Sequence, residues 1–269
     1  MLLKEVRRLC RGTELLAHVL LGMFISVAIL PLPIRARLSR WILRWWLKRT
    51  AAILRVRVMC RGTPLQEASL LAANHISWLD ILVLTSQCDA GFVTKADVNG
   101  WPLIGWLAEM SESELMQRGS PDSAARLLQR MVQRLKQGER LAVFAEGTSR
   151  LQVVPDRYRP GLLQAAVAAG VHVQPVAIYY GADEEDLRRV ACVKEETFLH
   201  HLWRLLGTGA VLVEVTFLPP LSAILGDSRL MADKAWNAVR YTLRRLELYE
   251  HEAAHRNSNP NDATLTQAV

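Results

Sequence analysis

The hydrophobic pattern divides the chain into two unlike parts. From Leu15 to Ile34, twenty residues pass without Asp, Glu, Lys or Arg, a run long enough to cross a bilayer core. The basic residues 1–14 ahead of it read as helical, and Pro31 and Pro33 end the apolar helix. A secretory signal peptide fits less well, because the run is long and lacks a convincing small-residue cleavage site. A buried core helix is the remaining alternative. Residues 35–54 carry a second helical pattern. Arg37, Arg40, Arg44 and Lys48 make a basic stripe, with Leu38, Ile42, Trp45, Trp46 and Ile53 on the broad opposite face. Trp41 flanks the stripe, and Arg49 sits out of place on the apolar side. Tryptophans beside arginines suit a helix lying in a membrane interface. The pattern is compatible with a hairpin dipping into one leaflet and with a span followed by a surface helix.

From Arg55 onward the runs are short and alternate in kind. Strands are expected at Arg55–Cys60, Ser69–Ala73, Gly91–Lys95, Glu114–Gln117, Leu141–Ala145, Val171–Tyr180 and Val211–Leu218. Helices are expected after Asp80 to about Gln87, from Trp101, from Pro121 to Gln137, over residues 161–169 and from Asp227 to about Arg256. Residues 183–207, charged and bearing Trp203, read as an insertion or lid. Strands alternating with helices predict an α/β domain with a central mixed, largely parallel sheet flanked by helices. The expected organisation is a membrane-associating helical segment at 1–54, an α/β domain at 55–256 and a disordered tail at 257–269.

Charge sharpens this division. Residues 1–61 hold thirteen Lys/Arg against Glu5 and Glu14, a net +11; the rest carries twenty Lys/Arg and twenty-four Asp/Glu, a net −4. A basic segment on a mildly acidic body calls for an anionic surface. Lipid fits better than nucleic acid, since no nucleic-acid-binding motif accompanies the charge. Mean hydropathy is +0.10, high for a freely soluble protein. Cys10, Cys60, Cys88 and Cys192 form no C-x-x-C pair, so neither zinc nor a disulfide framework is indicated.

Candidate chemistry centres on Asn74-His75-Ile76-Ser77-Trp78-Leu79-Asp80, between an apolar strand and the buried run Ile81–Leu84. Ser77 and Asp80 have the spacing of a helix-capping box. On a continuous helix, residues five apart lie about 140° apart. If His75 precedes the cap, Asp80 in the first turn can reach back to it. The carboxylate then fixes one imidazole tautomer and leaves the other nitrogen as a general base. Taken alone, the pair reads better as two capping residues. Two further polar clusters follow strands, Arg118-Gly119 and Glu146-Gly147-Thr148. Open α/β sheets bind ligands beyond the carboxyl ends of their strands, so the three clusters are expected to converge. No G-x-S-x-G occurs, which disfavours a serine hydrolase.

These blocks, in this order, resemble the glycerolipid acyltransferase family typified by lysophosphatidate acyltransferase. Its N-H-x-x-x-x-D motif stands here as NHISWLD, its strand ending in Arg as ELMQRGS, its F-P-E-G-T-R as Phe144-Ala145-Glu146-Gly147-Thr148-Ser149, and its V-x-P-V as Val173–Val176. The resemblance implies acyl transfer from acyl carrier protein or coenzyme A to a lysolipid hydroxyl. It gives His75 as base and Asp80 as its orienting partner. Arg118, Glu146, Gly147 and Thr148 would line the acceptor headgroup site, with Lys95 a candidate for donor or headgroup charge. It implies no metal or resident cofactor. The expected partners are membrane lipids and the acyl thioester, and the expected location is the cytosolic face of the cytoplasmic membrane. Ala145 replaces the motif's Pro, and Ser149 replaces the Arg that helps bind a phosphate acceptor. The prevalence of phosphate acceptors in the family favours 1-acyl-sn-glycerol-3-phosphate. Lyso-ornithine lipid is the alternative that tolerates Ser at this position. A non-catalytic lipid-binding protein is the more distant rival.

Overall fold

The computed structural model describes residues 2–29, 35–95, 114–116, 121–147, 152–181, 183–191, 196–222 and 226–258. Helices α1 (Leu2–Ile29) and α2 (Arg35–Ile53) come first, followed by β1 (Val56–Arg61), β2 (Ser69–Ala73), α3 (Leu79–Gln87), β3 (Gly91–Lys95) and β4 (Glu114–Met116). Then come α4 (Pro121–Lys136), β5 (Arg140–Phe144), α5 (Pro160–Ala169), β6 (His172–Tyr179), α6 (Glu184–Val190), α7 (Phe198–Gly207), β7 (Val211–Phe217) and α8 (Ser228–Ser258). The helix expected from Trp101 lies outside the described residues.

The seven strands form one sheet in the order β1-β7-β6-β2-β5-β3-β4. Every neighbouring pair is parallel except β6–β7. Strands β2, β3, β4, β5 and β6 therefore end at one edge of the sheet, and β1 and β7 begin there. Helices cover both faces, so β2 is buried at all five positions, as expected of a parallel strand with no solvent face. Its side chains alternate between two cores. Leu71 and Ala73 join Leu15, Trp46, Leu47, Leu54, Val83, Leu205 and Val213 on one side. Leu70 and Ala72 join Leu127, Met131, Leu163, Met231 and Val239 on the other.

The N-terminal helices are part of this body. Trp46, Leu47, Ala51 and Ile53 of α2, and Leu54 just after it, are buried in the first core, and α1 packs on both α2 and α7. His18 and Trp46 exchange reciprocal bonds: Trp46 Nε1–H donates to the His18 carbonyl, and His18 Nε2 lies 3.1 Å from the Trp46 carbonyl oxygen. On the other side of α1, Leu16, Leu20, Phe24 and Val27 stay exposed. Trp45, placed by periodicity with Trp46, is 41% exposed beside Trp41 at 68%. Residues 183–207 differ from a lid. They hold two helices, and Leu187, Val190, Leu205 and Leu206 are buried in the first core. The Arg204 guanidinium bonds Glu196 and the carbonyls of Arg188, Arg189 and Ala191, closing the end of α6.

Candidate active site

The carboxyl ends of β2, β5 and β6 bring the first and third motifs together. At the end of β2, Asn74 clamps the neighbouring strand. Its Oδ1 accepts the Ile178 N–H at 2.8 Å, and its Nδ2 donates to the Ile178 carbonyl at 2.9 Å. This fixes the exit of β2 against β6 and sets where His75 begins.

His75 is held from three sides. Its Nδ1 lies 2.8 Å from Asp80 Oδ2, its backbone N–H donates to Glu146 Oε1 at 2.8 Å, and its ring stacks on Phe144 with centroids 4.0 Å apart. Asp80 is fully buried. Besides His75, its Oδ2 accepts the backbone N–H groups of Ile76 at 2.8 Å and Ser77 at 2.9 Å, and its Oδ1 accepts the Tyr180 hydroxyl at 2.8 Å. The carboxylate thus turns back from the first turn of α3, as the spacing requires. Ser77 contributes less than a full capping box would. Its Oγ accepts the Leu79 N–H only at 3.4 Å, and Trp78 already has helical angles. Burial and the adjacent carboxylate push the Tyr180 phenol well above its ordinary value, so it remains the donor. With the Asp80 side acting only as acceptor, the Nδ1 position carries the proton. Nε2 is then the nitrogen able to take one, on a side chain 21% exposed.

Glu146 faces inward. It is 4% exposed, and both oxygens are engaged by the chain: Oε1 by His75 and Oε2 by the Asp156 N–H at 2.9 Å. Burial pushes its carboxyl up to about 7, against the pull of those two donors. The turn it opens needs glycine next. Gly147 has φ +76°, its N–H bonds the Phe144 carbonyl, and an added Cβ would stand 3.0 Å from Arg159 Nε. Among the described residues, the buried Tyr158 hydroxyl beside this carboxyl has no bonding partner. Trp78 points the other way, toward α7, where its Nε1–H donates to Nδ1 of the fully buried His201 at 2.8 Å.

Of the expected site residues, His75, Asp80, Glu146 and Gly147 meet. Lys95 ends β3 at the same edge of the sheet. Arg118 and Thr148 lie outside the described residues, as does Ser149. Asn74, Phe144, Asp156 and Tyr180 complete the arrangement and had no assigned role from the motifs. Tyr180 carried a usable signal, since it directly follows a buried strand whose end faces the site. No group of three or more His, Cys, Asp or Glu among the described residues is placed to hold a metal ion.

A model of the acyltransferase domain matches residues 55–179. The chain is 36% identical over 249 residues to a lyso-ornithine lipid O-acyltransferase of Pseudomonas aeruginosa, covering 89% of this chain and 94% of the relative. The chain belongs to the acyltransferase family. It is an O-acyltransferase of lysolipids, and the rival reading of a protein that only binds lipid falls away. This acyltransferase is also 27% identical over 175 residues to a 1-acyl-sn-glycerol-3-phosphate acyltransferase of Neisseria gonorrhoeae, covering 64% of the chain and 68% of that relative. Its fold is that of the 1-acyl-sn-glycerophosphate acyltransferase PlsC of Thermotoga maritima. The TM-score is 0.70 at 19% identity, covering 90% of this chain and 95% of that one. The long apolar α1 and the lipid-acylating relatives make the acyltransferase membrane-associated.

Proposed function

We propose that this acyltransferase esterifies the free hydroxyl of a lyso-ornithine lipid, with His75 as general base. The His75–Asp80 pair carries the chemical part of the reading. Nε2 of His75 takes the proton from the acceptor hydroxyl as its oxygen attacks the thioester carbonyl. The carbon–sulfur bond then breaks, and the leaving thiolate recovers the proton from the imidazolium, giving an ester and a free thiol. Asp80, held by Ile76, Ser77 and Tyr180, orients the ring and stabilises its cation. The donor is an acyl thioester of acyl carrier protein or coenzyme A. The anionic acceptor end is read by Arg118, Gly147 and Thr148, and Lys95 adds charge. Glu146 supports the backbone there through its bonds to the His75 and Asp156 N–H groups. The reaction runs on the cytosolic side, where a segment of net +11 is retained.

The acceptor assignment reverses the preference drawn from family prevalence alone. It is supported by the name of the relative matched over 94% of its length and by Ser149. A phosphate monoester carries nearly two charges, which bidentate arginines suit and a serine hydroxyl serves poorly. The gonococcal relative keeps 1-acyl-sn-glycerol-3-phosphate as the second reading. The test supplies purified enzyme with labelled acyl carrier protein and acyl-coenzyme A, each against lyso-ornithine lipid and 1-acyl-sn-glycerol-3-phosphate. Acylation of the ornithine lipid is expected to dominate, and Ser149→Arg is expected to raise use of the phosphate acceptor. Dominant acylation of the phosphate acceptor by wild type would overturn the assignment.

A further inference from the structure

A cavity lined by arginines opens at the same edge of the sheet, away from His75. Its volume is about 590 Å³, and it lies between α1, the end of α2 and the start of β7. Three guanidinium-bearing residues line it, Arg7, Arg11 and Arg55, together with Glu14, Ile53 and Gly209. β1 and β7 begin where β2 and β6 end, so the cavity and His75 open toward one side of the molecule.

The charges in this cavity do not balance. Glu14, its one carboxylate, is already paired with Arg49 outside the lining. Arg11 is tied down by the carbonyls of Leu206 and Thr208 at 3.2 and 2.8 Å, neither of which neutralises it. Among the described residues, Arg7 and Arg55 have no carboxylate partner. The like charges act on one another: burial, then Arg55 and Arg7, lower the pKa of Arg11. Arg55 is also held at a backbone cost. Its φ of +57° is the one positive value on a non-glycine among the described residues. It follows α2 at a position where glycine is usual, and the left-handed conformation brings the Cβ of a non-glycine residue too close to the following carbonyl oxygen. Such an outlier points to a use for the side chain it carries.

One feature selects the ligand. The exposed apolar residues Leu2, Leu9, Leu16, Leu20 and Phe24 run the length of α1 on one face, and Arg7, Arg11 and Glu14 lie on the opposite face, toward the body. With that apolar face sunk into the headgroup boundary, the arginines sit about one helix diameter above it, at the level of the lipid headgroups. We infer that the cavity formed by Arg7, Arg11 and Arg55 binds the phosphate of one anionic membrane phospholipid. The site is distinct from the acyl-acceptor site and independent of which lysolipid is acylated. Planar guanidinium forks match phosphate oxygens, and a single bound headgroup would offset the three like charges. Such a site makes membrane binding selective for headgroup and orients the catalytic edge toward the bilayer.

The test is flotation of full-length protein on vesicles of pure phosphatidylcholine and of phosphatidylcholine with phosphatidylglycerol. Wild type is expected to prefer the anionic vesicles. The Arg7→Gln/Arg55→Gln double variant is expected to lose that preference by about tenfold or more. Lys4→Gln/Lys48→Gln removes two exposed cations from the same helices but not from the cavity, and is expected to keep most of it. Gly209→Glu is a second probe that the fold tolerates, because a Cβ there meets nothing within 4 Å. Its carboxylate should compete for the arginines and abolish the preference. Equal loss in the lysine control would mean diffuse attraction and overturn the site, as would full preference in both cavity variants. An excess of free coenzyme A should leave binding unchanged. If it removes the preference instead, the cavity serves the donor's phosphates and the lipid assignment fails.

Discussion

Glu146 Oε1 accepts the backbone N–H of His75 at 2.8 Å, joining two motifs 71 residues apart. The contact involves the backbone of His75, so it fixes where the imidazole starts and leaves both ring nitrogens to other work. The second oxygen of Glu146 does the same for Asp156, ten residues on. A glutamate read from sequence as lining a headgroup site also pins the backbone of His75 and of Asp156 to one carboxylate.

That pin should respond to pH. Burial raises the Glu146 carboxyl from 4.5 to about 7. Below about pH 4.5 the folded and unfolded states both hold the proton. As pH rises toward 7 the unfolded state gives it up first, so stability falls, by up to about 3 kcal/mol once the folded state has ionised too. Glu146→Gln cannot titrate and should flatten this part of the stability–pH curve, whatever offset it brings from one mismatched N–H. Urea melts from pH 4 to 8 measure both slopes. Parallel curves for the two proteins would show that Glu146 is not held with a raised pKa.

The pair at the centre separates basicity from orientation. His75→Ala should reduce acyl transfer at least about 100-fold with little change in melting temperature. Asp80→Asn keeps one oxygen for the donors of His75, Ile76 and Ser77, and its amide can donate to the Tyr180 oxygen. It should therefore fold and retain partial activity, lowered because the imidazolium loses its counter-charge. Single-turnover rates with labelled acyl donor measure both. Wild-type turnover by His75→Ala would remove His75 from the mechanism.

Asn74 should matter to the fold as much as to the site. Asn74→Ala leaves the N–H and carbonyl of Ile178 without side-chain partners in a fully buried part of β6. Each unmet group costs about 1–3 kcal/mol. A loss of roughly 2–5 kcal/mol in denaturant melts is expected, with Asn74→Asp also destabilised because a carboxylate cannot donate to the carbonyl. A melt equal to wild type for Asn74→Ala would mean that β6 is fixed without the clamp.

What was legible in the sequence follows from the range of each interaction. The strands were readable because a sheet covered on both faces needs short apolar runs such as Leu70–Ala73, bounded by turns. His75 and Asp80 were readable because five residues of chain set their distance. Tyr180 and Ile178 stand at least 100 residues from the groups they bond, and nothing local records that pairing. The inward turn of Glu146 was equally hidden, because the motif names the residue but not the direction of its side chain. In α2, Trp45 and Trp46 differ by only about 100° of helix rotation. Which one is buried depends on His18 of α1, a neighbour that periodicity cannot supply. Residues 183–207 suggested an insertion or lid because ten of the twenty-five are charged. Leu187, Val190, Ala191, Leu205 and Leu206, spaced among those charges, nonetheless reach the core.

The exposed apolar face of α1 gives the last prediction. Its inner side is committed to the body through Leu15, His18 and Gly22, where a Cβ would come within 2.5 Å of Trp46 Nε1. Its outer side leaves Leu20 57% and Phe24 70% exposed. Burying two such side chains in lipid is worth roughly 3–6 kcal/mol. Leu20→Glu/Phe24→Glu should therefore shift the protein from the membrane fraction to the soluble one by two or more orders of magnitude. The melting temperature should hold, since neither residue touches the core. Gly22→Leu is the complementary change: it forces α1 away from Trp46 and should destabilise the body while leaving the outer apolar face intact. If the Leu20→Glu/Phe24→Glu protein stays with membranes in high salt, the contact with lipid is made by another surface, and the exposed tryptophans Trp41 and Trp45 become the residues to change next.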